Sequence, residues 1–425
     1  MREMKDSGIE WIGQIPKDWV TIRIGNVFSL RNERNYLPME QVQLLSLYSG
    51  KGVFPTGEEG TTNSGNHAQT VADYKIVKRN DIVVNIILAW MGSLGISNYD
   101  GVVSPAYDVY IPDEEKVVPH YYHYVFRTSG IANECYRYGR GIMMMRWRTY
   151  SSEFKRIHVP FPPLEEQQQI ADYLDSKCSE IDATAEDIQK EISLLEDYKK
   201  SVITEAVTKG LNPDAEMKDS GIEWIGEIPK DWKVIRFKYI AIVKSNLVAP
   251  IRYMNYPQIA PDVIEKNTGK IISHRSVEEA NVDSWNHLFY KGQILYSKIR
   301  PVLNKVVIAP YDGLCSADMY PISAKENVRF LQYIMLSAFF VKQVDLVTRD
   351  RIKMPKINQD ELGNILLVWT SKEEQQQIAD FLDSKCSEID SLIADKKRQL
   401  DILADYKKSL IYEYVTGKKE VPVNE

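Results

Sequence analysis

Two stretches of the chain carry an apolar residue at every seventh position. In the first, Leu174, Ile181, Ile188, Leu195 and Val202 recur at that spacing, with Cys178, Ala185 and Ile192 at the companion position. In the second, Leu382, Ile389, Leu403 and Leu410 do so, with Cys386, Ile393 and Leu400 alongside, and Lys396 stands where an apolar residue is due. Neither stretch meets a glycine or proline before Gly210 or Gly417. Such a seam over about four heptads predicts a long helix that packs lengthwise on another, and a charge within it can fix the register. About 44 residues make a helix of ~65 Å. Left alone, it would expose a continuous apolar stripe. The two helices are therefore expected to pair antiparallel as a shared stalk; the alternative is that each packs on its own neighbouring domain. Cys178 and Cys386 fall on the seam, where a small buried hydrophobe needs no redox role.

Between these stretches the period changes from seven to two. Runs such as Asp81-Ile-Val-Val-Asn, Val109-Tyr-Ile, Gln293-Ile-Leu-Tyr-Ser and Lys305-Val-Val-Ile-Ala are rich in β-branched and aromatic residues. Helical patches are expected over 120–128 and 329–340. Each intervening segment reads as a compact α/β or α+β domain of about 140 residues.

The 425-residue chain is also written twice. Met4 to Val20 reads MKDSGIEWIGQIPKDWV and Met217 to Lys233 reads MKDSGIEWIGEIPKDWK, a difference of two positions. EEQQQIADYLDSKCSEID at 165–182 returns at 373–390 with one change. The segments 21–162 and 234–370, by contrast, share only faint echoes. Simple drift after duplication would have eroded the ends as well. The pattern fits a constant frame carrying two variable inserts, related by an internal pseudo-two-fold repeat. The expected organisation is a first domain over 1–162 with a brace at 4–20, a helix over 163–210, a second domain over 211–370 with a brace at 217–233, a helix over 371–418 and a tail over 419–425. Trp11, Trp19, Trp224 and Trp232 of the braces are expected to pack.

The formal charge of −6 hides a partition. Residues 163–210 hold 12 acidic and 5 basic side chains, and 371–418 hold 10 and 8, so the helices carry −9 and everything else carries +3. The basic residues cluster. Arg140, Arg146 and Arg148 lie among aromatics and glycines, and the second insert offers Lys298, Arg300, Asn304 and Lys305, then Arg349, Arg351, Lys353 and Lys356. Lysine and arginine at this density suit phosphate contacts, whereas planar donors such as Arg and Asn can read base edges. A plain solvated basic face is the competing reading.

Catalytic signatures are missing. No phosphate-binding G-x-x-x-x-G-K-[ST], no G-x-G-x-x-G and no H-E-x-x-H occurs. Phe161-Pro-Pro-Leu lacks the amide or acid of an amino-methyltransferase motif, and His120-Tyr-Tyr-His123 lacks a third ligand. Four isolated cysteines, no apolar run of about 18 residues and no apolar leader core predict a reduced, cytoplasmic protein with no membrane partner.

Gly-Ile-Glu-Trp-Ile-Gly-x-Ile-Pro-x-x-Trp ahead of each insert, and Pro-Pro-Leu-Glu-Glu-Gln-Gln-Gln-Ile-Ala-x-Tyr-Leu-Asp after the first, resemble the specificity subunit of type I restriction–modification systems. So do Lys291–Lys305 and Ala89–Gly95 within the inserts. The resemblance spans essentially the whole chain, departing only where Thr370-Ser-Lys replaces the Pro-Pro-Leu lead-in. It implies two target recognition domains, each reading one half of a bipartite asymmetric site in double-stranded DNA, held apart by two antiparallel coiled-coil helices. It implies a noncatalytic chain without a cofactor of its own. Two methylation subunits would bring S-adenosylmethionine and flip adenines out of the stack. A restriction subunit would add ATP- and Mg-dependent translocation and cleavage. A stand-alone DNA-modifying enzyme and a coiled-coil scaffold without a nucleic-acid role are the alternatives.

Overall fold

The computed structural model describes residues 2–48, 52–57, 70–142, 147–351 and 353–422. The chain forms two compact units, one of residues 1–187 with 399–425 and one of residues 188–398. Each takes one insert, its brace and half of each long helix. Arg146, one of the residues singled out above, lies outside the described residues.

In the first unit the brace is a hairpin, Met4–Asp6 on Gln14–Pro16. The next strand, Val20–Arg23, pairs with the strand that leaves the insert, His158–Phe161, so entry and exit are zipped together. The insert is built on a four-stranded antiparallel sheet in the order Phe28–Leu30, Tyr107–Pro112, Ile82–Asn85, Leu94–Ile96. Helices Pro119–Phe126, Ser129–Tyr138 and Ser151–Phe154 follow. The expected helix over 120–128 is thus broken after Phe126. Thr128 turns its hydroxyl back to the Val125 carbonyl (2.7 Å), and the chain restarts in a new direction.

The second unit repeats this plan in different residues. Its hairpin is Met217–Asp219 on Glu227–Pro229, and Lys233–Arg236 pairs with Leu366–Trp369. The sheet order is Ala241–Val243, Met319–Ala324, Ile294–Ser297, Val306–Ile308. Helices Val328–Leu336, Ala338–Thr348 and Gln359–Asn364 follow, so the expected 329–340 helix breaks at the buried Ser337. A further sheet (Leu247–Val248, Asn286–Phe289, Gly313–Cys315, Gln258–Ile259) belongs to this unit, whereas the first insert has, outside its main sheet, the hairpin Leu45–Tyr48 on Gly52–Pro55 and the pair Lys75–Val77 with Gly101–Val103. The inserts therefore share a core fold that their sequences barely disclose.

The long helices run Leu164–Lys209 and Lys372–Val415. In the first unit Leu174, Ile181 and Leu410 are buried with Leu403 packed beside them; in the second Leu382 and Ile389 are buried. Ile188, Leu195 and Val202 are only half-buried, and Ile192, Ile203, Ala206 and Val207 are among the buried residues there. A straight helix of ~3.6 residues per turn drifts against a seven-residue repeat, so the buried line slides off the heptad positions. As the first helix advances from Tyr173 through Asp182 in one unit, its partners on the second helix fall from Tyr414 to Lys407. In the other unit Glu191 and Lys199 face Lys396 and Asp390. Within each unit, then, the pairing is antiparallel. Lys396 tolerates its place on the seam because Glu191 answers it.

The repeated motifs act as joints. Trp19 is fully buried and donates its indole N–H to Glu166 (2.8 Å); Trp232 does the same to Glu374 (2.8 Å). Gln167 and Gln375 donate to the carbonyls of Pro162 and Thr370, sealing each helix start to the strand before it. Trp224 departs from expectation: it is 42% exposed. Among the described residues no single helix is long and apolar enough to cross a membrane.

Candidate nucleic-acid interface

In the first unit a loop leaves helix Ser129–Tyr138 at Gly139 and returns at Thr149. Its neck is closed by a reciprocal pair of backbone hydrogen bonds between Arg140 and Arg148, both 2.9 Å. Trp147 stacks on Tyr136 (ring centroids 5.2 Å apart) and donates its indole N–H to the Tyr136 carbonyl (3.0 Å). A Cβ at position 139 would strike that indole, so glycine is needed there. The Thr149 amide then donates to the Ile86 carbonyl (2.8 Å), tying the loop to the turn that follows strand Ile82–Asn85. Arg140, Gly141, Ile142, Arg148 and Tyr150 bound an open cleft of about 610 Å³. Arg140 is engaged by Glu153, whose carboxyl is held below its ordinary range by the Ser152 hydroxyl and then by that guanidinium. Arg148 is exposed and makes no ion pair among the described residues.

The second unit carries a loop at the matching place, described at 349–351 and 353–356. The Ile357 amide donates to the Lys298 carbonyl (2.9 Å), the counterpart of Thr149 on Ile86. Arg351 is held by Glu361, the counterpart of Arg140 on Glu153; its guanidinium is the largest influence keeping the Glu361 carboxyl low. The turn after strand Ile294–Ser297 is zipped to this loop by Arg300 N–H to Pro355 O (2.8 Å), and Lys356 reaches Asp318 (3.2 Å). Arg300, Asn304 and Met354 adopt left-handed backbone conformations (φ +43°, +44° and +46°), which non-glycine residues keep only when the surroundings fix them. Lys298, Arg300, Arg351 and Lys353 thus sit on two adjoining loops, with Arg349 at the end of helix Ala338–Thr348 that feeds them.

Two expected readers point elsewhere. Asn304 is completely buried and donates its amide to the Met335 carbonyl (2.9 Å), so it presents no base-reading edge. Lys305 turns its ammonium to the Pro261 carbonyl (2.5 Å). Lys298 lies over the Tyr320 ring (5.5 Å) and remains partly exposed.

Residues 16–194 match the type I restriction modification DNA specificity domain. The chain is 28% identical to the specificity subunit of the type I restriction enzyme EcoDI of Escherichia coli, over 86% of this chain and 81% of that one. It is 26% identical to the MjaVIII specificity subunit of Methanocaldococcus jannaschii, over 96% and 94%. Residues 16–194 thus match that specificity domain, and the chain over most of its length is similar to type I restriction enzyme specificity subunits. A chain from a structural study of complex assembly and conformational transition of the type I R-M system superposes with a TM-score of 0.69 over 95% of this chain and 99% of that one; at 13% identity this shows a shared fold.

The curated relatives that this chain resembles are named specificity subunits. Sequence reasoning missed that its two basic clusters, Arg140 to Arg148 and Arg349 to Lys356, are one loop in two copies. The available signal was the 208-residue offset of the helix repeat, which also separates Thr149 from Ile357 and Glu153 from Glu361.

Proposed function

We propose that this chain is a specificity subunit and that each of its units reads one half of a bipartite, asymmetric site in double-stranded DNA. Arg140, Arg146 and Arg148 would serve one half. Lys298, Arg300, Arg349, Arg351 and Lys353 would serve the other, with the bases recognised by the arginines and the lysines on phosphates. The carrying observation is the loop pair: same scaffold position, same tie to the strand turn, same Arg–Glu anchor, different exposed side chains. A reader for two unlike sequences needs that combination.

The long helices would set the gap between half-sites and dock two methylation subunits, which bring S-adenosylmethionine; restriction subunits would bring ATP and Mg. Work on cellular DNA would place the assembly in the cytoplasm. The acidic helices suit such a role, since they repel phosphate and favour cover by protein.

Exchange of residues 21–162 for the insert of another family member tests the modular reading. The recognised sequence should change in one half-site and stay the same in the other. A change in both halves would refute it.

A further inference from the structure

Leu194 and Tyr198, one turn apart on the first long helix, are 69% and 50% exposed in the second unit. Ile402 and Tyr406 occupy the same two positions of the repeated helix in the first unit, and are 67% and 52% exposed. A single exposed apolar side chain means little, but the same pair at the same exposure in both copies is a surface presented twice. An aromatic residue lies at equivalent positions of the opposing helix, Phe381 in the second unit and Tyr173 in the first.

There the copies diverge. Tyr173 is covered by Tyr414, with ring centroids 4.6 Å apart. The repeat puts Ala206 where Tyr414 stands, and Phe381 stays 42% exposed. The missing ring leaves a cleft of about 740 Å³ in the second unit, walled by Tyr198, Val202, Ala206, Leu211, Met217 and Phe381.

We propose that each apolar pair seats one copy of the same partner, the methylation subunit, and that only the copy on the second unit inserts an apolar side chain into the cleft beside Phe381. The two copies are then held with different strength. This rests on the docking role given to the long helices above. Repetition of the pair calls for one partner twice over. The first long helix holds 12 acidic against 5 basic residues over 163–210 and the second 10 against 8 over 371–418, so both faces, the one at Leu194 the more strongly, call for a partner surface apolar at its centre and basic at its rim. Burial of one large apolar side chain is worth about tenfold or more in affinity.

The test titrates the full-length chain with methylation subunit, followed by native mass spectrometry and calorimetry. Two binding steps separated by about tenfold or more are expected. Ala206→Tyr, which gives the second unit the ring of the first, should weaken the tight step to match the other. Phe381→Ala, at a half-exposed position that folding tolerates, should weaken the tight step alone. Tyr406→Glu should weaken only the loose one. Two equal steps in the unaltered chain, or a tight step untouched in both Ala206→Tyr and Phe381→Ala, would overturn the inequivalence while leaving the docking role intact. No binding of the methylation subunit at all would remove both.

Discussion

Lys199 Nζ lies 2.7 Å from Asp390 Oδ1, joining the two long helices in the second unit. The repeat reproduces the pair with the helices exchanged: Lys407 Nζ lies 2.6 Å from Asp182 Oδ1 in the first unit. Each helix thus supplies the acid in one unit and the base in the other, which only antiparallel copies of one sequence can do. Lys270, from the second insert, adds a second cation to Asp390 at 2.7 Å, so the insert is tied to the helices at the same carboxylate.

Burial opposes the charge on Asp390, yet hydrogen bonds from Lys199 and Lys270 outweigh it and hold the carboxyl below its ordinary range. A folded-state value below the unfolded one stabilises the fold fully above the unfolded carboxylate range, and that contribution disappears as pH falls through the folded value. Asp390→Asn should therefore cost about 1–3 kcal/mol near neutrality, because Lys199 is left nearly buried without a counter-charge. Thermal unfolding measured from pH 7 down to pH 3 should show wild type and variant converging in acid. Equal stability at pH 7 would contradict the assignment.

Trp232 fills the joint between brace and helix, and its indole N–H is satisfied by Glu374. Trp232→Phe should cost about 1–3 kcal/mol through the lost hydrogen bond and unfilled volume, and Trp232→Ala about 3–5 kcal/mol. Chemical denaturation of the two variants checks the order. A neutral Trp232→Phe would show that packing alone holds the joint.

Arg300 and Arg148 carry the recognition proposal most directly, both being exposed and unpaired among the described residues. Arg300→Ala and Arg148→Ala should each weaken binding of the cognate duplex by about 1–3 kcal/mol, through separate half-sites. Asn304→Ala should instead lower stability and leave base preference alone, since its amide serves the Met335 carbonyl. Competition binding with duplexes altered in one half at a time distinguishes these outcomes. An Arg300→Ala variant that loses affinity equally for every sequence would make Arg300 a phosphate contact.

A folded insertion of helical residues within 188–202 should lengthen the unread gap between half-sites and change neither half. Site mapping on the variant would show it. An unchanged gap would separate the helices from any measuring role.

The long helices were legible because a seven-residue period over more than forty residues has few other physical meanings, and Leu174 and Leu382 lie buried as that period requires. The frame was legible for the same reason: near-identical motifs such as Glu165–Asp182 and 373–390 mark equivalent places. The inserts were not. Their strands are two to six residues long, too short for alternation to fix register, and their sheets are closed by residues far apart in sequence. Asn304 shows the limit most sharply. It lies in a basic, turn-forming stretch that reads as surface, and only the docking of helix Val328–Leu336 against it places it inside. The ion pairs at Lys199, Lys396 and Lys407 were hidden likewise, because a lysine on a seam reads as an interruption until its partner on the other helix is known.

Methylation-sensitive sequencing of DNA from cells that express this chain with its methylation subunit tests the central claim most directly. The account predicts modified bases in two short, unlike half-sites separated by a gap of fixed length and free sequence. A single contiguous recognition sequence, or modification independent of one of the two inserts, would contradict it.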